Sequence, residues 1–106
     1  MKTKPEKDLE LHDKINRETG RIKWSELERH FASGSVIWVS EALDLIDVAL
    51  RIAHDDKDSI RQWMSAGEVA KVSDLQAQTW AASDETLWAS VVSPFVLVQS
   101  TRKALH

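Results

Sequence analysis

Apolar residues recur most regularly between Leu43 and His54, and this stretch predicts the central helix of the chain. At about 100° per residue, they cover roughly half of a helical surface, with Val48 at the edge of the arc. An arc this wide is typical of a helix that lies against a sheet and touches a second element. Burying one Leu or Ile fully contributes about 1.5–3 kcal/mol. We therefore predict a helix over about 42–54 that supplies much of the core.

The polar residues of the same region fall on one stripe of this helix, at spacings of three or four residues. The polar stripe consists of Glu41, Asp44, Asp47, Arg51 and His54. An acid-first pair at i,i+4, such as Asp47 with Arg51, contributes about 0.2–0.5 kcal/mol when it is exposed. Charged runs are usually solvated faces, but the stripe is also the candidate surface patch of this sequence. Both interpretations stay open.

The chain before this helix contains two predicted helices and one strand. A weakly amphipathic helix is expected over about 6–19, with Gly20 as its stop. The segment Ser25-Glu26-Leu27-Glu28 fits a capping box, which predicts a short helix over about 24–33. The run Val36-Ile37-Trp38-Val39 is β-branched and aromatic, so it predicts a strand that is covered on both faces.

The chain after it starts with aspartates that end the central helix and offer caps for the next, expected over about 57–66. Ile60, Trp63 and Met64 line one face of that helix. Residues 68–72 form either a short strand or an extended connector. A second capping box, Ser73 with Gln76, opens a helix to about residue 83 that is expected to bury its apolar residues. They are Leu75, Trp80 and, less strongly indicated, Ala77 and Ala81.

The last apolar segment, Leu87 to Gln99, is divided by Pro94, which has no N–H to donate. It predicts two strand halves, the second buried between neighbours. The expected fold is α+β, with a small mixed sheet and four to five helices. Its strands lie near 35–39, 68–72, 87–92 and 95–99. We expect residues 6–99 to form a single domain, with a disordered N-terminus over 1–5 and a tail over 100–106.

Composition limits the class of protein. A chain of 106 residues with 42% hydrophobic and 29% charged residues is typical of one soluble globular domain. The absence of cysteine excludes disulfides, thiolate catalysis and Cys-based zinc sites. No apolar run approaches the roughly 18 residues that cross a bilayer. The N-terminal residues do not form a secretory signal. Cytoplasmic residence without membrane association is the prediction.

Charge is unevenly distributed along the chain. Residues 24–100 contain five Lys and Arg against twelve Asp and Glu, a balance of −7. An acidic body repels a phosphate backbone, so no nucleic-acid partner is expected.

No catalytic or metal-binding pattern in the sequence is complete. Asp55, Asp56 and Asp58 follow His54, but a calcium loop starting at Asp56 would need a Gly and a Glu where Arg61 and Gly67 stand. There is no GxSxG elbow and no phosphate-binding glycine loop. We predict no metal, no cofactor and no catalytic residue, and a non-enzymatic protein is favoured over an enzyme.

Five tryptophans are a heavy aromatic load for this length; they are Trp24, Trp38, Trp63, Trp80 and Trp88. Large aromatics give a small domain much of its core area, and a core role is favoured for each. The alternative is an aromatic binding patch or a dimer interface, where Trp is enriched.

An ordered set of segments resembles the bacterial family catalogued as domain of unknown function 2288. The set runs from about residue 21 to residue 99 and consists of Trp24-Ser25-Glu26-Leu27, Val36-Ile37-Trp38-Val39, Leu43-Asp44-Leu45-Ile46-Asp47-Val48-Ala49, Ile52-Ala53-His54-Asp55-Asp56, Gln62-Trp63 and Pro94-Phe95-Val96-Leu97-Val98-Gln99. The order of these segments is what is specific, because none is a catalytic motif. The resemblance implies a bacterial cytosolic protein and transfers no functional residue.

The sequence thus favours a small non-enzymatic interaction or regulatory module. Its partner would be an unidentified protein or a second copy of the chain, as in a homodimer. The alternative is a small-molecule-binding protein or minor enzyme that uses Asp44, Asp47 and His54.

Overall fold

A computed structural model describes residues 6–100 as five helices and five strands. The helices are α1 (Glu6–Arg17), α2 (Trp24–Ala32), α3 (Leu45–Ala53), α4 (Lys57–Ser65) and α5 (Asp74–Ala82). The strands are β1 (Thr19–Lys23), β2 (Val36–Val39), β3 (Val69–Lys71), β4 (Thr86–Val92) and β5 (Phe95–Gln99). The predicted disorder of residues 1–5 and most of the predicted tail lie outside the described residues.

The five strands form one mixed sheet in the order β1-β4-β5-β2-β3. Strands β2 and β5 are parallel, and the other three pairings are antiparallel. Strands β4 and β5 form a hairpin whose turn contains Pro94, after a cis peptide bond. The α+β prediction is confirmed, as is the central, buried position of the last strand.

Helices cover both faces of this sheet, because its inner strands alternate apolar side chains between the two faces. On β5, Val96 and Val98 join a cluster with α2 and α5, whereas Leu97 joins a cluster with α1, α3 and α4. Strand β2 divides its side chains in the same way. Its coverage on both faces was expected from its wholly apolar sequence.

Strand β1 was not predicted, and Gly20 does not stop a helix but lies within this strand. Helix α1 ends at Arg17. Strand β1 pairs with β4, and its Arg21 lies over the ring of Trp88 at 5.9 Å from the ring centroid. Ile22 is the one strongly apolar residue of β1, so the local pattern of apolar residues did not predict a strand. The pairing that makes it a strand comes from residues almost seventy positions later.

The capping box predicted at Ser25 is wrong. Helix α2 begins two residues earlier than that box requires, with Lys23 at the N-cap and no side-chain cap from it. Instead, the carboxylate of Asp84 accepts from the Ser25 N–H at 2.9 Å and from the Ser25 hydroxyl at 3.3 Å. The cap is supplied across the fold by the turn after α5, which sequence periodicity does not reveal.

The second capping box is confirmed in α5, since Ser73 and Gln76 each accept from the other's backbone N–H, at 3.1 and 3.0 Å. The predicted burial of this helix is partly wrong. Ala77 and Trp80 are buried, but Leu75 is 74% exposed and Ala81 is also exposed. Helix α5 contacts the core through a narrow seam, where the Trp80 ring lies 5.4 Å from that of Trp24.

Helix α3 is the most deeply buried helix, as its pattern predicted, but it is shorter than expected. It begins at Leu45, and Asp44 is its N-cap, accepting from the Ile46 N–H at 2.9 Å. Val48, predicted at the edge of the apolar arc, is fully buried. The loop before α3 is fixed by the buried Gln99, whose Nε2 donates to the carbonyls of Ser40 (2.8 Å) and Leu43 (2.7 Å).

Candidate functional site

Most residues of the polar stripe have a structural role at or near α3. Glu41 lies in the turn before the helix, and Asp44 is the N-cap. Asp47 and Arg51 form an exposed ion pair at 3.7 Å, and Arg51 also pairs with Asp56 at 3.1 Å. Ion pairs of this kind at a protein surface contribute little to stability.

The stripe does not bring Asp44 and His54 together. Asp44 and His54 are the caps at opposite ends of α3, about 15 Å apart along a helix that rises 1.5 Å per residue. Asp47 lies in the first turn of the helix. The stripe is therefore a surface along one helix rather than a converging site, and its role as a surface patch stays a prediction.

A cleft of about 740 Å³ lies beside this helix, between α4 and the edge of the sheet. Its apolar lining comes from Ile37, Ile52, Ile60, Met64, Val69 and Phe95, and its charged lining from Asp55, Lys57, Arg61 and Lys71. We call this the α4 cleft. Its volume is within the range of about 300–1,000 Å³ typical of sites for small ligands, which are mostly apolar with a few polar groups.

One complete face of α4 opens into the α4 cleft. Lys57, Ile60, Arg61 and Met64 stand at i, i+3, i+4 and i+7, which places them on the same side of a helix. None of the residues of α4 is buried, and Met64 is 56% exposed. An amphipathic helix normally buries its apolar face. Here Trp63 packs against the core, whereas the part of the face formed by Ile60 and Met64 remains accessible, Ile60 partly and Met64 mostly.

The opposite wall of the cleft is the end of the sheet formed by β5, β2 and β3. Phe95, Ile37 and Val69 come from these three strands and belong to the cluster beneath α3. Strand β3 is the outermost strand, and its residue Lys71 adds a cation. The wall is therefore built on hydrogen-bonded strands, which give it a rigid support.

The termini of α4 are held by local hydrogen bonds. The Asp56 carboxylate caps the helix by accepting from the Ser59 N–H at 3.2 Å and from the Ser59 hydroxyl at 2.8 Å. These bonds, with the hydroxyl contribution the largest, lower the pKa of Asp56 below its ordinary value of 3.8, assisted by Arg51. At the other end Gly67 adopts a positive φ of 74°, which lets the chain turn into β3.

A second, smaller cavity of about 220 Å³ lies on the other face of the sheet, between α2 and the hairpin. Its lining includes Ile22, Leu27, His30 and Val91. This volume falls below the usual range for small-ligand sites, so the α4 cleft is the stronger candidate.

The sequence pattern indicated part of the α4 cleft without locating it. Ile60 and Met64 were predicted on one face of their helix, but the cations at i−3 and i+1 from Ile60 were not considered with them. The signal that could have located the cleft is a helix face that carries both cations and apolar residues in an otherwise acidic part of the chain. The wall residues Ile37, Val69 and Phe95 are distant in sequence and were interpreted as core.

All five tryptophans lie in the two core clusters or contact them: Trp24 and Trp80 are buried, and Trp38, Trp63 and Trp88 are partly buried. The core interpretation accounts for each of them. None of them lines either of the two cavities described above.

Comparison with known proteins identifies the family. The family described as "Protein of unknown function (DUF2288)" matches residues 10–100. The chain belongs to this family. The NMR solution structure of PA1075 from Pseudomonas aeruginosa is 37% identical in sequence, with a TM-score of 0.78 and full coverage of both chains. No curated protein matches the chain.

Two further findings concern the part of the chain that the structure describes. No helix there has the length and apolar character needed to cross a membrane. No group of three or more His, Asp or Glu side chains within it is arranged to hold a metal ion.

Proposed function

We propose that this DUF2288 protein is a non-enzymatic binding protein whose site is the α4 cleft, and that its ligand is a small molecule with an apolar body. The observation that carries the proposal is the accessible apolar face of α4 opposite a wall of the sheet. Removing apolar surface from water contributes about 25 cal/mol per Å². A ligand that fills this cleft would therefore remove from water the apolar surface that the fold itself leaves exposed.

The proposal moves the small-molecule alternative from the polar stripe to the cleft beside it. The cleft has converging walls and an apolar lining, whereas the stripe residues Asp44 and His54 are at opposite ends of α3. A regulatory role is compatible with this site, because a ligand between α4 and β3 would hold those two elements together.

The test uses Met64 as a reporter, since the chain contains two methionines, Met1 and Met64. A sample labelled with ¹³C at the methionine methyl groups gives two resonances, and Met64→Leu identifies the one that belongs to the cleft. Titration with 1-octanol, a neutral apolar probe, is expected to shift the Met64 resonance saturably. Amide shifts should concentrate in residues 57–64 and around Lys71.

Two matched variants define where the probe binds. Met64→Glu should weaken 1-octanol binding, because it places a charge on the apolar wall. Leu75→Glu, at a still more exposed apolar position on the other face of the sheet, should leave binding unchanged. A Met64 resonance that does not respond to saturating probe, or equal effects of the two variants, would overturn the proposal.

Self-association is the second candidate, and its support is the pair of outer strands, β1 and β3, together with the exposed Leu75. Outer strands present unpaired backbone groups to a second chain. Light scattering at high concentration tests this, and a monomeric mass throughout would count against a homodimer. We also propose a bacterial, cytoplasmic protein, as the likeness to the Pseudomonas aeruginosa protein supports for the source.

A further inference from the structure

We propose that the ligand of the α4 cleft is an amphipathic anion, a small molecule with one carboxylate or phosphate head on an apolar body. This inference rests on the proposed function, because it specifies the chemistry of the ligand that the cleft would bind. The head would contact Lys57, Arg61 and Lys71, and the body would lie against Ile37, Met64 and Phe95.

The first observation is the concentration of positive charge in the cleft. Residues 24–100 contain five Lys and Arg, and three of these five line the α4 cleft. The same residues contain twelve Asp and Glu, and one of them, Asp55, lines it. The cleft is therefore a local cationic site in a strongly acidic body. Apolar walls of low dielectric strengthen the attraction of such a site for an anion.

The second observation is that these cations are weakly engaged. The Lys57 Nζ lies 3.9 Å from Asp55, and the Arg61 Nη1 lies 3.6 Å from Asp58, in pairs whose side chains are at least 74% exposed. Exposed pairs at such distances contribute little to stability. Among the described residues, no carboxylate lies within ion-pair distance of Lys71. An incoming anion therefore replaces only weak ion pairs.

The third observation is that charge and apolar surface lie on both walls. On α4, Lys57 and Arg61 stand at i and i+4 on the face that carries Ile60 and Met64. Lys71 comes from β3, on the opposite wall. A guanidinium binds carboxylate or phosphate oxygens through two parallel hydrogen bonds, which orients the head. The adjacent apolar side chains then accept the body of the same molecule.

The experiment compares probes that share an eight-carbon chain and differ in the head: octanoate, octyl phosphate, 1-octanol and octylammonium. Each is titrated into the full chain, with the Met64 methyl resonance and calorimetry as readouts. Because three cations line the cleft and each exposed charge contact adds a small attraction, at least one anionic probe should bind roughly tenfold tighter than 1-octanol at low salt. Octylammonium should bind more weakly than 1-octanol. The preference should shrink in 1 M salt, where the Debye length is about 3 Å.

Charge variants test which residues bind the anionic head group of the ligand. Lys57→Gln, Arg61→Gln and Lys71→Gln should each reduce octanoate or octyl phosphate affinity by a larger factor than 1-octanol affinity. Arg29→Gln is the matched control, because it removes the same charge from an exposed position on α2 outside the cleft. Equal loss in Arg29→Gln would show a general charge effect and overturn the inference.

The outcomes separate this inference from the proposed function. If 1-octanol binds at Met64 but the anions bind no tighter, the binding site stands and the anionic ligand is wrong. If no probe binds there, both fail. Co-sedimentation with phosphatidylglycerol vesicles, without binding of the dispersed anions, would also overturn the inference in favour of a membrane surface.

Discussion

Helices α3 and α4 are consecutive, equally long and placed on the same face of the sheet, yet they use their apolar faces differently. Each has nine residues and an aspartate N-cap that accepts from a backbone N–H, Asp44 in α3 and Asp56 in α4. Helix α3 buries four residues, whereas α4 buries none. The difference cannot come from length or capping, because these are shared.

Two features explain the difference: seven of the nine residues of α3 are apolar against three of nine in α4, and the two helices lie over different parts of the sheet. Helix α3 contacts the inner strands β4 and β5, which present a broad apolar surface, and α4 contacts β3, an outer strand of three residues. A helix over the edge of a sheet has less surface beneath it to cover its apolar face. The α4 cleft is the space that results. Amphipathic pattern therefore predicts a helix but does not decide what its apolar face meets.

The largest expected difference between the two helices is in the cost of truncating an apolar side chain. Leu45→Ala in α3, at a fully buried position, should lower the free energy of unfolding by about 2–5 kcal/mol, because it leaves a cavity. Met64→Ala in α4, at a position that is 56% exposed, should change it by less than about 1 kcal/mol. Urea denaturation of both variants measures this. Equal losses would show that α4 belongs to the core and would remove the basis for the cleft.

The next effect concerns the glutamine that holds the start of α3. Gln99→Met removes both donors to the carbonyls of Ser40 and Leu43 in a buried setting. It should cost about 1–3 kcal/mol, the usual penalty for leaving buried polar groups unpaired.

The matched control for Gln99→Met is Gln62→Met on the exposed side of α4. This variant should stay within about 0.5 kcal/mol of the wild-type protein. Thermal and urea denaturation compare the two. A Gln99→Met protein as stable as the control would show that the hydrogen bonds of Gln99 do not anchor α3.

A smaller effect is expected from the N-cap of α3. Asp44→Ala removes the acceptor of the Ile46 N–H and should cost about 0.5–2 kcal/mol. Asp44→Asn keeps a side-chain oxygen at the same place, so it should retain most of the stability. If both variants lose the same amount, Asp44 stabilises α3 through its charge and not through the hydrogen bond.

The smallest effect is a pH dependence at the N-cap of α4, where Asp56 also joins α4 to Arg51 of α3. The hydrogen bond from the Ser59 hydroxyl is the main cause of the lowered pKa of Asp56. A carboxyl with a lowered pKa in the folded protein stabilises it above the unfolded-state pKa. That contribution is lost as the pH falls through the folded-state pKa.

The measurement is the free energy of unfolding of the wild-type protein and of Asp56→Asn across acidic pH. The advantage of the wild-type protein should be constant near neutral pH and should shrink below about pH 4. Ser59→Ala should raise the pKa of Asp56 towards its ordinary value, as carboxyl ¹³C shifts in an NMR titration would show. A wild-type advantage that does not change with pH would contradict the assignment.

Much of the fold follows from local patterns. The central helix, the strand at residues 36–39, the two strands on either side of Pro94 and the cap of α5 by Ser73 and Gln76 were all predicted and are confirmed. Each depends on residues within one or two turns or strand lengths of one another. Local propensity, capping and periodicity are sufficient in such cases.

The predictions that were wrong depend on contacts between residues that are distant in sequence. Strand β1 exists because β4 pairs with it, and the cap of α2 comes from Asp84, 59 residues after Ser25. Leu75 is exposed because α5 contacts the core by the seam of Ala77 and Trp80 alone. A single sequence does not specify which distant surfaces meet.

The same division applies to the candidate site. By itself, the sequence predicted a helix over about 57–66 with Ile60, Trp63 and Met64 on one face, because helical spacing is a local property. Only the tertiary structure decided that this face lies over the short outer strand β3 rather than over the inner strands. That placement leaves the apolar face of α4 accessible and brings Lys71 to the opposite wall from Arg61. The physical reason is that burial is set by the partner surface available, and that surface is built from strands β5, β2 and β3, which are far apart in sequence.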